Sequence, residues 1–375
     1  MYCYSAKYVA AHEANAKLKP HRRKSRHVVR ATAATLNLWG RATGAARVRA
    51  IPKSKGSGCR AIVDYGLEER AAQWLVREIV RPHLQIRDDQ FAVKHGGQTA
   101  ACRRVADLIA LGCGYAAEMD IKSCYPNLAE DGVRKLLGVI PRRVVEARCL
   151  ARGGTYHLVG EEGQSWGPMG LASEMGVGRG LSQGSLCSPL IAEAAVASVL
   201  DEAERRSDWP RSVRLVVQAD NIAILSGSKA AVALAIDILG DALERAAVGP
   251  LKARSTPIRS TARGFDYLSV CFRKRNGRIS VEASPEARSN FLKKLAIQLK
   301  DLAIPLPKIK EWARSWGASM DLRKDGRRLT RASRWVAWVL LHALGPMALR
   351  GRDLQSVAAI AHRLIHTPGL RLSAY

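Results

Sequence analysis

Two acidic residues, Asp120 and Asp220, stand where metal-ion chemistry would need them. Each ends a short apolar run, Tyr115-Ala116-Ala117-Glu118-Met119-Asp120 in one case and Val213 through Gln218-Ala219-Asp220 in the other. A carboxylate leaving a strand offers a hard oxygen to a cation such as Mg²⁺, and the carbonyl of the next residue, Ile121, can join it. Lys53, Lys55 and Arg60 flank a Gly-Ser turn. Cations on a rigid hairpin can neutralise a triphosphate as charge builds in phosphoryl transfer. A third feature is Gly180-Leu181-Ser182-Gln183-Gly184-Ser185. Its glycines let backbone approach a nucleotide or template base closely, and Gln183 can hydrogen-bond it. Plainer readings stand beside these. Asp-Asn is a good turn pair, and Asp120 could simply cap the next turn.

These residues need elements to hold them. Val213 to Ser226 has two Val/Ile/Leu-rich runs around Asp220-Asn221, which reads as a β-hairpin with those two residues at its tip. Arg47 to Val63 reads as a second hairpin. Leu67 to His83, Thr99 to Leu111, Pro141 to Leu150, Ile191 to Arg205 and Lys229 to Ala246 have helical periodicity. Ser188 is a candidate N-cap with Pro189 in the first turn. Gly153 to Gly180 is Gly-rich and reads as a loop or loose hairpin. Gly264 to Arg273 reads as a strand, followed by a turn at Asn276-Gly277. From Pro285 onward the chain is helical and basic, with breaks at Pro305 and Pro307. Its Trp312, Trp316, Trp335 and Trp338 suit a core, with base stacking as the alternative.

Charge narrows the partners. The 375-residue chain has 60 Lys and Arg against 33 Asp and Glu, a net charge of +27. Such an excess points to a polyanion, and nucleic acid bound through its phosphates is the expected one. Residues 1–45 form a basic arm that could lie on a nucleic-acid backbone or be a solvated tail. The cysteines form no Cys-x-x-Cys pair, so zinc is not expected. With no signal peptide or membrane-length apolar run, the expectation is a cytoplasmic protein with reduced thiols and no membrane partner.

Taken together, these stretches resemble a reverse transcriptase, of the prokaryotic kind related to group II intron enzymes, over residues 47–275. Met119 to Tyr125 looks like the first catalytic motif. Gly180 to Ser185 with Ser188-Pro189-Leu190 looks like the second and is the most specific match. Gln218-Ala219-Asp220-Asn221 stands where the family has Tyr-Ala-Asp-Asp. Phe265-Asp266-Tyr267-Leu268 resembles the primer-grip strand, and Ile51-Pro52-Lys53 through Arg60-Ala61-Ile62 the fingers hairpin. Tyr125-Pro126-Asn127 also resembles reverse transcriptases of bacterial phage defence, more weakly.

The resemblance implies an α+β right-hand polymerase. Residues 46–279 would be fingers and palm, the palm an antiparallel sheet with helices on one face. Residues 280–375 would be a helical, basic thumb. It implies an RNA template, a nucleic-acid primer and deoxynucleoside triphosphates as partners, and admits a structured noncoding RNA. Two Mg²⁺ ions, or Mn²⁺, would lie about 3.5–4 Å apart, held by Asp120, Asp220 and the Ile121 carbonyl. Lys53, Arg60, Gln183 and Gly184 would meet the nucleotide. Lys252 would lie near the pyrophosphate, with Arg254 its rival. Phe265, Tyr267 and Leu268 would form the primer grip. Tyr125 would be a steric gate that excludes a 2′-hydroxyl and so favours deoxynucleotides. Asn221 departs from the family's second Asp and leaves two carboxylates where three are usual. It keeps open an RNA-dependent RNA polymerase on the same scaffold, or a binding scaffold with weakened catalysis.

Overall fold

The computed structural model describes residues 3–40, 46–52, 59–151, 156–158, 178–301, 304–319, 335–336 and 339–340. The expected contacts of Lys53 and Lys55, the place of Trp338 and most of the Gly-rich stretch before Gly178 fall outside those residues.

In chain order, the first elements are helices α1 (Tyr4–Ala16) and α2 (Arg26–Thr35). Strands β1 (Ala46–Pro52) and β2 (Cys59–Asp64) form the expected hairpin, with Ile51 opposite Arg60. Helices α3 (Leu67–Val80) and α4 (Gly97–Ala110) lead to strand β3 (Tyr115–Ile121). Short helices α5 (Cys124–Asn127), α6 (Glu130–Leu136) and α7 (Arg142–Arg148) follow, then β4 (Tyr156–Leu158), which lies parallel to β1. Helix α8 (Ser188–Arg205) precedes the hairpin of β5 (Arg214–Gln218) and β6 (Asn221–Ser226). Helix α9 (Lys229–Arg245) comes next, then β7 (Ala253–Ser255), β8 (Arg259–Ser260), β9 (Phe265–Tyr267), β10 (Val270–Arg275) and β11 (Arg278–Ala283). Helices α10 (Pro285–Lys300) and α11 (Leu306–Ser319) complete the described elements. The fold mixes helices with mainly antiparallel strands.

The chain divides into two compact units. One comprises Met1–Lys94, Met119–Pro210 and Leu234–Ser255; the other comprises His95–Glu118, Arg211–Ala233 and Thr256–Tyr375.

In the first unit, the basic N-terminal stretch is folded rather than a solvated tail. Helix α1 lies against α2 and α3. It buries Ala10, Ala11 and Ala14 completely, and residues this small let helix backbones come close. Arg22 reaches Asp64 at the end of β2, 2.5 Å away. Helix α8 is Ala-rich and buried around most of its circumference, as expected of an interior helix. Its Glu193 carboxylate accepts from the backbone N–H groups of Ala92 (2.8 Å) and Val93 (3.1 Å), which fixes the loop before α4.

A buried polar network joins distant parts of this unit. The Arg148 guanidinium pairs with Glu69 and donates to the carbonyls of Asn37 and Gly40. Glu69 accepts from Gln73 Nε2 (3.1 Å), whose Oε1 accepts from Leu186 N–H (3.1 Å). Burial pushes the Glu69 carboxyl up, while Arg148 and Gln73 pull it back toward the charged form.

In the second unit, β9, β10 and β11 form an antiparallel meander. The expected single strand over Gly264 to Arg273 is in fact two strands. Leu268 and Ser269 both take positive φ (49° and 70°) between Tyr267 and its partner Val270. That is the backbone of a primed hairpin turn, built here without glycine. The turn at Asn276-Gly277 forms as expected, with φ of 47° and 72°. Around Phe291 of α10, Trp312 and Trp316 pack at centroid distances of 5.1 and 4.4 Å, and Trp335 at 5.5 Å. These three tryptophans therefore line a core.

Removing one partner of a buried ion pair costs about 3–5 kcal/mol. Arg148→Ala should therefore lower the chemical-denaturation midpoint sharply. A midpoint equal to the wild type would contradict the central place of this network.

Candidate functional site

Four of the expected nucleotide-binding residues, Arg60, Tyr125, Gln183 and Gly184, lie on three segments joined by their backbones, while Lys252 lies apart from them beside β7. The segment from Gly180 to Gly184 runs between α5 and β2. Leu181 N–H donates to the Tyr125 carbonyl at 2.9 Å, and Val63 N–H donates to the Gln183 carbonyl at 2.7 Å. Gly180 (φ 54°) and Gly184 (φ 116°) both have backbone that L side chains rarely adopt. A Cβ on Gly180 would collide with the Tyr125 carbonyl oxygen, and one on Gly184 with the Val63 carbonyl oxygen. Glycine is needed there for contact with the protein's own backbone, which is a different reason from approach to a ligand. Gln183 is half-buried and Gly184 exposed. Arg60 is exposed on β2. Tyr125 is half-buried on α5, whose N-cap Ser123 is itself left-handed (φ 49°).

Ser188 is not the N-cap of α8. Cys187 occupies that position, with its N–H bonded to Ser185 Oγ at 3.3 Å. The chain becomes helical one residue earlier than the capping pattern suggests. Ser188 sits inside the first turn, fully buried, and its hydroxyl has no hydrogen-bond partner among the described residues.

Asp120 is exposed on β3, between buried Met119 and buried Ile121. Its cross-strand partner on β7 is Arg254, and Ile121 pairs with Ala253. Directly opposed residues place their Cβ atoms about 4.5–5.5 Å apart on one face, so Arg254 is the cation beside Asp120. Lys252 is exposed two positions away, on the same face by strand periodicity, and its carbonyl accepts from Lys122 N–H at 2.8 Å. Of the two rivals, Arg254 is the nearer to Asp120 by register. The same alternation puts Glu118, an acid two residues upstream, on Asp120's face. Thr256 brackets it: its hydroxyl accepts from Glu118 N–H (2.9 Å), and its N–H donates to the Glu118 carbonyl (2.7 Å).

In the second unit, the Asp220 hairpin forms but its turn is shifted by one residue. Gln218 pairs with Asn221, so the turn residues are Ala219 and Asp220. Asn221 is the first residue of β6, not part of the tip. The positive φ falls on Ala219 (56°), a position where glycine is usual. Asp220 and Asn221 are both half-buried. Asn221 Nδ2 donates to Asp220 Oδ1 at 3.1 Å. The amide thus does more than stand in for a missing carboxylate: it holds one oxygen of the carboxylate that remains.

The primer-grip residues divide by strand alternation. Phe265 (2% exposed) and Tyr267 (0%) point inward, Asp266 is exposed and Leu268 half-buried in the turn. The Tyr267 hydroxyl approaches the Val216 carbonyl at 3.0 Å and the Asn221 carbonyl at 3.2 Å. Gln98 Nε2 donates to the Leu268 carbonyl at 2.7 Å. Among the described residues no group of three or more His, Cys, Asp and Glu gathers as a metal cluster. The donors on hand are carboxylate and carbonyl oxygens, the hard set that Mg²⁺ takes.

No family model matches the chain, and no curated protein matches it. One solved structure with similarity is apo telomerase from Candida tropicalis, truncated of its C-terminal domain. The match has a TM-score of 0.41 at 11% identity and covers 65% of this chain and 56% of that one. The chain therefore spans little more than half the length of that telomerase.

Two glycines give opposite expectations. Gly184→Ala meets strained φ and occupied space, and such strain costs about 1–3 kcal/mol. Gly240, inside α9, has nothing within 4 Å of an added Cβ, and Gly240→Ala should stabilise by about 0.5–1 kcal/mol. Thermal melts of both variants check this; equal shifts would contradict the close approach at Gly184.

Proposed function

We propose that the chain is a nucleic-acid polymerase of the reverse-transcriptase family that extends a primer with deoxynucleotides on an RNA template. The observation that carries the reading is the stitching of three separately recognised motifs. The Tyr125 helix and the β2 strand, far apart in sequence, are each hydrogen-bonded to the Gly180 to Gly184 segment. The group II intron type is the narrower part of the proposal and rests on the motif wording alone.

The reaction joins the primer's 3′-oxygen, which gives up its proton to water, to the α-phosphorus of the incoming nucleotide, breaks the bond from that phosphorus to the oxygen bridging to the β-phosphate and releases pyrophosphate. Asp120, Asp220 and the Ile121 carbonyl would hold two Mg²⁺ ions. When bound, those ions lower the energy of the attacking and leaving oxygens. Arg60 supplies positive charge for the triphosphate. Arg254, with Lys252 further along, supplies it on the Asp120 face. Positioning and charge account for most catalysis in phosphoryl transfer, so preformed elements suit the task. Tyr125, next to the Gly180 to Gly184 segment, would exclude a 2′-hydroxyl. Exposed Lys293, Lys294, Lys308 and Arg314 on α10 and α11 offer phosphate contacts for a duplex.

A second reading, a nucleic-acid-binding scaffold with weakened catalysis, is favoured by the Asn221–Asp220 hydrogen bond. That bond occupies an oxygen which a metal would otherwise use. An RNA-dependent RNA polymerase differs from the main proposal in its nucleotide set.

One experiment separates all three. A defined RNA template, primed with RNA or DNA, is extended with each nucleotide set in Mg²⁺ and in Mn²⁺. The proposal expects deoxynucleotide incorporation that disappears in Asp120→Ala and in Asp220→Ala. Activity retained by both variants contradicts it. Ribonucleotide preference supports the RNA polymerase, and tight binding without turnover in either ion supports the scaffold. A steric pocket contact discriminates by roughly 10- to 200-fold, so Tyr125→Ala should narrow the preference for deoxynucleotides by that order. An unchanged sugar preference would remove Tyr125 from the gate position.

A further inference from the structure

The sequence places Tyr267 among residues that would touch a primer, yet it is fully buried. Its ring stacks near Phe265 at 6.4 Å and 11°. An aromatic residue there needs no hydroxyl to fill the core; Phe265 and Phe272 fill it without one. The Tyr267 hydroxyl instead approaches two backbone carbonyls on the opposite arms of the Asp220 hairpin, Val216 on β5 and Asn221 on β6. These two contacts lie on both sides of the Ala219-Asp220 turn.

That turn needs external support. Ala219 has φ 56°, which costs an L residue about 1–2 kcal/mol. A strained residue persists only where its surroundings over-determine it. The strands below the turn do part of this through their ladder. The Tyr267 hydroxyl, its one proton shared between the two carbonyls, bridges both arms next to the turn. Burial pushes its proton affinity well up, so the group stays a neutral donor.

We propose that the Tyr267 hydroxyl is a positioning group: it holds the Ala219-Asp220 turn in its left-handed conformation and thereby sets the place of the Asp220 carboxylate. It acts through the hairpin backbone and touches neither nucleotide nor primer. The consequence for catalysis rests on the polymerase reading above; the consequence for the hairpin does not.

The test uses Tyr267→Phe in the full chain, with and without Ala219→Gly. The first readout is hydrogen exchange of the metal-free protein, followed by mass spectrometry. Losing one net hydrogen bond corresponds to about 10-fold, so exchange over residues 216–222 should quicken by that order. Peptides from α10 should not change. The second readout is steady-state nucleotide incorporation. Tyr267→Phe should lower kcat by about 10-fold with little change in the nucleotide KM. Ala219→Gly should restore part of that loss, because glycine holds positive φ without help. Unchanged exchange at the hairpin overturns the proposal. So does an equal increase across all peptides, which would mean a general loss of stability. Rescue absent despite faster hairpin exchange would also overturn it, since the strained turn would then not be what the hydroxyl holds. A wild-type protein that incorporates nothing would refute the polymerase reading, while the exchange result would still decide the role of Tyr267 in the hairpin.

Discussion

The close approach of three backbones at Gly180 and Gly184 constrains the first unit more than any single side chain does. There is no room for a Cβ at either position, and φ is positive at both. Only with glycine there can Leu181 bond to Tyr125 and Val63 bond to Gln183. Those bonds fix the half-buried Tyr125 helix against a loop that leads into α8. Helix α8 in turn is clamped by Glu193 to the loop before α4 and linked through Leu186 to Gln73 and the buried Glu69–Arg148 pair. A local steric condition is thus tied by hydrogen bonds to the N-terminal helices. Arg148 donates to Asn37 and Gly40, just beyond α2.

The second unit follows the same logic with different means. Its turns are tight and several lack glycine. Ala219, Leu268 and Ser269 all carry positive φ. Such turns persist because their surroundings hold them. For Leu268 there is a bond from Gln98, and for the Ala219 turn there are the strand ladder and Tyr267. The Asn221 amide adds a bond to the Asp220 carboxylate. It orders the hairpin tip and leaves that carboxylate partly engaged.

Much of this was legible in the sequence because apolar periodicity reports directly on strands and helices. The two hairpins, β3, α3, α8 and α9 follow their patterns closely. What stayed hidden has particular causes. The Asp220-Asn221 pair has the chemistry of a turn, but ladder register decides which two residues form it, and positive φ fell on an alanine. Leu268-Ser269 carries no turn signal, so β9 and β10 read as one strand. Helix α1 has weak amphipathicity, because its contact face is built of alanines, so the N-terminal stretch reads as a basic arm. The Asp120–Arg254 pairing depends on β7, which is too short to announce itself. The inward orientation of Tyr267 does follow from alternation with Phe265, but the target of its hydroxyl is a tertiary fact.

The proposed polymerase function requires Asp120 and Asp220 to serve one pair of ions. Binding of Mn²⁺ in the presence of primer–template and a non-reactive deoxynucleotide analogue, followed by electron paramagnetic resonance, tests it most directly. Two ions per chain, magnetically coupled to each other, are expected, with the coupled signal lost in Asp120→Ala and equally in Asp220→Ala. Two uncoupled ions, each removed by a different substitution, or a coupled pair that survives both, would contradict it.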